Sequence, residues 1–124
     1  MNIRRAMPVI RSADVAVSRA FWIDFLGFAP GMDDPGFLML KSPSVETTQV
    51  IVADPTTADR QIRDVDVSVE VEAVEDAYAD AQARGLDIVY PLTDEPWGVR
   101  RFFVRSPDGT VVNVASHRPA AGRA

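Results

Sequence analysis

Three charged side chains on expected strands carry most of the chemistry this sequence offers. Asp66 and Glu70 fall in residues 64–71, where Val65, Val67, Val69 and Val71 alternate with Asp64, Asp66, Ser68 and Glu70. Period-two alternation sends the valines to one side of a strand and the polar residues to the other. Carboxylates that share a face can serve as general acid and base, since each makes the other harder to ionise. The same face can equally be hydrated or receive a cationic guest. Arg101 is the third group: its planar fork suits an anion clamp, a pairing with Asp66 or Glu70, or a solvated position beside Arg100 and Arg105. His117 is the single histidine, close to the end of the chain, and is expected to have no chemical role. With no cysteine, thiolate nucleophiles, disulfides and Cys-based metal centres are excluded. One histidine excludes a multi-histidine metal site within a single chain. No phosphate-binding glycine loop, dinucleotide fingerprint or serine nucleophile turn is present.

The elements that must hold these groups repeat. The first half begins with a short strand at Pro8-Val9-Ile10-Arg11. A helix follows from about Ala16 to Leu26, with Val17, Ala20, Phe21 and Phe25 read as its core stripe, and Gly27 stops it. Two strands, Phe37 to Lys41 and Thr48 to Val52, surround the turn Ser42-Pro43-Ser44. The second half gives the valine strand, then a helix from Val74 to Arg84 with Val74, Ala77, Tyr78 and Ala81 on one stripe, stopped by Gly85. After a loop at Pro91 to Gly98 come strands Val99 to Arg105 and Thr110 to Ala115, hinged at Ser106-Pro107-Asp108-Gly109. The hairpins superpose residue by residue: Leu38-Met39-Leu40-Lys41-Ser42-Pro43 on Phe102-Phe103-Val104-Arg105-Ser106-Pro107, and Thr48 to Ala53 on Thr110 to Ala115. A duplicated βαβββ module accounts for this better than unrelated hairpins. The modules span residues 1–53 and 64–117, with a polar linker at 54–63 and a flexible tail at 118–124.

At 124 residues, the chain suits one domain that buries roughly two thirds of its unfolded surface without staples. Its 47% hydrophobic and 25% charged residues are those of a globular protein. A net charge of −5 argues against a nucleic-acid partner, and no apolar run is long enough for a membrane span. A cytoplasmic location is the expectation.

The residues Asp14-Val15-Ala16-Val17-Ser18-Arg19-Ala20-Phe21-Trp22 and Phe25-Leu26-Gly27-Phe28 resemble the first-module helix of the vicinal oxygen chelate superfamily, which includes glyoxalase I, ring-cleaving dioxygenases and bleomycin-resistance proteins. Pro96-Trp97-Gly98, Arg101 to Arg105 and Ser106-Pro107-Asp108-Gly109-Thr110 resemble its second-module hairpin. The resemblance covers about Met7 to His117. It implies an α+β fold of two tandem βαβββ modules, with curled mixed sheets around a concave cavity and helices outside. It also implies a homodimer. On that fold, Val67, Val69, Phe102, Val104, Val112 and Val114 pack on the second helix. Asp66, Ser68, Glu70, Arg101, Phe103, Val111, Asn113 and His117 then face inward.

Metal-dependent members hold a divalent ion with His, Gln and Glu. Carried over by position, those ligands fall on Met7, Ile51, Asp66 and Asn113, of which only Asp66 is a good oxygen donor. The expectation is therefore no metal and no cofactor. The favoured reading is a small-molecule binding protein for an antibiotic or natural product, resembling the bleomycin-resistance branch. Its apolar wall is Met7, Val9, Phe37, Met39, Ile51, Val99 and Phe103. Asp66, Ser68, Glu70, Arg101 and Asn113 orient the guest, and the acidic groups suit a cationic one. Trp97 either stacks on a flat ligand or anchors its loop. Trp22 serves core packing or a subunit contact. The alternative is a metal-independent isomerase, lyase or hydrolase with Asp66 or Glu70 as base and Arg101 as anion clamp.

Overall fold

The computed structural model describes residues 1–56 and 64–117. The expected linker beyond residue 56 and the expected tail at 118–124 lie outside the described residues. The chain forms two compact units, one of Ala6–Asp66 and one of Met1–Arg5 with Val67 onward. The first five residues belong with the second half because Glu72 donates its N–H to the Asn2 carbonyl at 3.1 Å, while Arg5 meets the Glu70 carboxylate.

In the first unit, β1 (Ile3–Arg11) is followed by α1 (Val15–Arg19), which runs on as a wider π-helical segment, Ala20–Phe25. Then come β2 (Ala29–Asp34), β3 (Phe37–Lys41) and β4 (Gln49–Ala53). The strand order is β2-β3-β4-β1, with β1 parallel to β4 and the other pairs antiparallel. The second unit repeats this with β5 (Val67–Val71), α2 (Val74–Ala83), β6 (Asp87–Glu95), β7 (Val99–Arg105) and β8 (Val111–His117), in the order β6-β7-β8-β5. Again the outermost pair in sequence, β5 and β8, is parallel.

The β3–β4 and β7–β8 hairpins repeat each other residue for residue. Leu38 pairs with Val52 and Phe102 with Val114; Met39 pairs with Ile51 and Phe103 with Asn113. The α+β reading with two βαβββ modules therefore holds. Among the described residues, no helix is long and apolar enough to cross a membrane.

Each sheet buries one face against its helix. Val71, Phe102 and Val114 form a core with Val74, Ala77 and Ala81 of α2, and Val69, Tyr78, Val104 and Val112 join it, as the alternation requires. Tyr78 meets Phe102 edge-on at 5.0 Å. Gly27 and Gly85 end the two helices in the left-handed region, at φ of 87° and 67°.

The first helix corrects the sequence reading. Val17, Phe21 and Phe25 are exposed, and the side facing Leu38, Leu40, Val50 and Val52 is instead Val15, Trp22 and Ile23. The expected role of Trp22 in core packing holds; the expected core stripe points to solvent. Apolar residues occur on both sides of this helix, so periodicity alone could not choose between them.

One buried hydroxyl replaces a missing cap. Ala73, at the start of α2, has no side chain to accept a helix N–H. Ser116 of β8 does so from across the unit, accepting from Val74 N at 3.1 Å and donating to the Val71 carbonyl at 2.8 Å. Ser116→Ala is expected to cost about 1–2 kcal/mol in urea unfolding, since a buried N–H and a buried carbonyl both lose their partner. A loss below a few tenths would show that solvent reaches this end of α2.

Candidate functional site

The face of the second sheet opposite α2 gathers the polar groups. Strand pairing places Ser68 beside Asn113, Asn113 beside Phe103, and Arg101 beside Ala115, all on that face. The equivalent positions in the first unit are Val9, Ile51, Met39 and Phe37, which share a face by the same register and are all apolar. One sequence repeat has thus produced an apolar surface in one unit and a polar one in the other.

Arg101 is the centre of the polar face. Its side chain is 3% exposed, and its guanidinium carbon lies 5.1 Å from the Phe103 ring centre, 5.3 Å from Trp97 and 5.7 Å from Tyr90. Nη2 sits 2.6 Å from Glu95 Oε2, which also accepts from the Tyr90 hydroxyl at 3.1 Å. A guanidinium sheltered from water is costly unless a carboxylate and aromatic faces replace its hydration, and this cluster supplies both. Beside it, the Asn113 amide nitrogen donates to Ser68 Oγ at 3.3 Å, while Asn113 Oδ1 is buried and accepts nothing. Whichever way the amide is turned, Ser68 serves one end and leaves the other unmet. A buried acceptor without a donor costs about 1–3 kcal/mol.

The structure redistributes the expected roles. Arg101 was expected to face Asp66, Glu70 or an external anion; it holds Glu95 instead. Glu70 is engaged by Arg5 at 2.8 Å, by His117 Nδ1 at 3.0 Å and, at 3.9 Å, by Arg4. His117, for which no chemical role is expected, lies against the same carboxylate. Asp66 belongs to the first unit, where Arg11 contacts it at 3.2 Å and also donates to the Val65 carbonyl. Arginines answer both acids, which removes the reason for expecting a cationic guest. Met7, Val9 and Ile51 are buried, Phe37 and Met39 half-buried, all in the first unit; Val99 is half-buried in the second. Trp97, at the Pro96-Trp97-Gly98 turn, covers Arg101 while 57% exposed, so it combines anchor and open aromatic face.

Tyr90 and Glu95 were not anticipated, because Pro91 marked the start of a loop. It lies instead within β6, an edge strand where a missing N–H is tolerated. Tyr90 pairs with Phe103 and Thr93 with Arg101, so three steps on β6 match two on β7. That bulge reverses the alternation and brings Tyr90 and Glu95, five residues apart, to one group. Just outside, Arg100 grips Asp94 through two hydrogen bonds of 2.5 and 3.0 Å and reaches Glu75 of α2 at 2.8 Å. The Arg100 hydrogen bond holds the Asp94 carboxyl below its usual range.

The residues at the inherited metal positions do not fit a divalent ion. Met7 and Ile51 offer no hard donor, Asp66 is engaged by Arg11, and Asn113 is a neutral amide already bonded to Ser68. Among the described residues, no group of three or more His, Asp or Glu side chains is placed to hold a metal.

A βαβββ unit used twice is consistent with the glyoxalase-like fold. A family model for the Glyoxalase/Bleomycin resistance protein/Dioxygenase superfamily matches residues 4–114, and the chain belongs to that superfamily. Among solved structures, a hypothetical protein from Bacillus halodurans C-125 is similar at 12% identity and a TM-score of 0.75, covering 99% of this chain and 100% of that one. A glyoxalase/bleomycin resistance protein/dioxygenase superfamily member from Vibrio splendidus 12B01 is similar at 20% identity and a TM-score of 0.69, covering 93% and 99%. The Mn(II)-bound glyoxalase from Novosphingobium aromaticivorans is similar at 22% identity and a TM-score of 0.63, over 99% of this chain and 42% of that one. At these identities the likeness is one of fold. No curated protein matches the chain.

Proposed function

We propose that this chain binds a small molecule, in the manner suggested by the bleomycin-resistance members of its superfamily, and does so without a catalytic metal. The observation that carries the reading is the unmet Asn113 Oδ1, buried beside the aromatic cluster of Tyr90, Trp97 and Phe103. A guest that satisfies it is planar, carries an N–H or O–H donor, and lays its flat face against the exposed part of Trp97. Aromatic natural products and antibiotics have this chemistry, and bleomycin with its flat bithiazole is a suitable first probe. The alternative enzymatic reading loses ground, because Asp66, Glu70 and Arg101 must each break an ion pair before acting as base or clamp.

Titration followed by tryptophan fluorescence and calorimetry is expected to show saturable binding of bleomycin or a smaller planar amide, unchanged by a chelator. Trp97→Ala and Asn113→Leu are each expected to weaken it roughly tenfold, the value of about one lost contact. Asn113→Leu should meanwhile leave stability equal or higher, because it removes an unmet polar atom. Binding that both variants leave intact, or that requires added manganese or zinc, would overturn the proposal.

A further inference from the structure

Two neighbouring arginines on β7 fasten the same hairpin from its two sides. Arg101 holds Glu95 on the polar face, while Arg100, one residue earlier, points to the α2 side. There its planar fork is filled. Nε and Nη2 donate to the two carboxylate oxygens of Asp94, directly opposite on β6, and Nη1 donates to Glu75 at 2.8 Å. Glu75 stands in the first turn of α2, next to Val74, whose N–H is held by Ser116. Ser116 is also the strand partner of Arg100 on β8, so the anchor on α2 is itself fixed to the sheet. Asp94 and Arg100 form the second pair in from the turn that carries Trp97, which Gly98 closes by donating its N–H to the Glu95 carbonyl at 3.2 Å. Trp97 is more than half exposed, and a cation–π contact such as its own with Arg101 holds a ring weakly where water competes.

We propose that Arg100 is a positioning residue for Trp97: by tying β6 to β7, and both to the first turn of α2, it keeps the indole in place over the polar face. One arginine shared by carboxylates from two elements is a network, which holds geometry where an isolated surface pair does not. The two parallel bonds to Asp94 fix direction as well as distance, because the guanidinium is planar. Without them the end of the hairpin is held from one side only, by Arg101 and Glu95, and is free to pivot about that pair. That Trp97 receives a planar guest is the reading proposed above, and the affinity measurement below rests on it; the placement of the indole does not.

Nitrogen-15 relaxation of the two tryptophan indole N–H groups in the full chain tests it, with Trp22 in the first unit as the internal reference. Wild-type Trp97 is expected near the order parameter of a rigid group, about 0.85, and Arg100→Gln is expected to lower it to about 0.6 or less. Glu75→Gln frees only the helix side and should lower it in the same direction. Arg100→Lys keeps the charge without the fork and should fall between the wild type and Arg100→Gln. Arg105→Gln removes the Asp87 pair at the other end of the hairpin and should leave Trp97 unaltered. Dispersed amide spectra confirm that each variant is folded. By calorimetry, bleomycin affinity is expected to fall roughly fivefold in Arg100→Gln, since a mobile ring must be ordered on binding. An indole already mobile in the wild type, or as ordered in Arg100→Gln and Glu75→Gln as in the wild type, overturns the inference. So does equal loosening in Arg105→Gln, or bleomycin bound equally well by the wild type and Arg100→Gln. A wild type that binds no bleomycin while Trp97 loosens as expected overturns the ligand reading alone and supports the role of Arg100.

Discussion

Replacing Glu95 by alanine is expected to destabilise the chain by roughly 3–5 kcal/mol, a large share of the stability of a domain this size. Arg101 and Glu95 are 3% and 10% exposed, so neither charge can turn to water when the other is removed. The three surrounding rings soften the loss without replacing a carboxylate: a cation over an aromatic face is worth about 0.5–2 kcal/mol. Glu95→Gln should cost less, because the amide still accepts from Tyr90 and Arg101. The double variant Glu95→Ala, Arg101→Met should recover most of the stability, since an apolar pair of similar volume needs no hydration. Urea unfolding of the wild type, Glu95→Ala, Arg101→Met and the double variant closes the cycle that measures the coupling. If Glu95→Ala costs under about 1 kcal/mol, the pair is hydrated and the polar face is open to bulk solvent.

Phe102→Ala is the second substitution with a large expected cost, about 3–5 kcal/mol. Phe102 is buried to 1% exposure, stands edge-on to Tyr78, and fills the space between β7 and α2. Its removal deletes transfer energy and leaves a cavity that two flanking strands resist closing. Phe102→Leu keeps most of the volume and should cost less than about 1.5 kcal/mol. Its neighbour Phe103, on the opposite face, gives a control. Phe103→Leu should alter the Arg101 surroundings, and hence ligand affinity, more than it alters the docking of α2. Equal unfolding costs for Phe102→Ala and Phe102→Leu would mean that the α2 layer repacks freely.

Much of this arrangement was legible because a strand is a binary device. Val67, Val69 and Val71 assign their own side unambiguously, and the duplicated hairpin carries that assignment to Phe102, Arg101, Phe103 and Asn113. Parity therefore located three of the buried polar residues, Ser68, Arg101 and Asn113, before any coordinates. It could not name their partners, which depend on how far side chains reach across strands. The orientation of α1 failed for a different reason. Val15, Trp22 and Ile23 make as good a stripe as Val17, Phe21 and Phe25, and the π-helical turn alters the period on which any choice would rest. Tyr90 and Glu95 were hidden by Pro91, which reads as a break wherever an edge strand is not suspected. His117 meets Glu70 from the end of β8, a partner that parity does not name.

The irregularity in β6 makes the contents of the polar face depend on chain length as well as residue type. Because the pleat has only two sides, removing a single codon between Tyr90 and Thr93 would restore plain alternation. Tyr90, opposite Phe103, and Thr93, opposite Arg101, would then stand two residues apart and both keep the polar face, whereas losing the bulge at unchanged length would swing the phenol to the α2 side. A strand of this length that paired evenly with β7 would therefore present a different set of groups on that face while keeping the same fold.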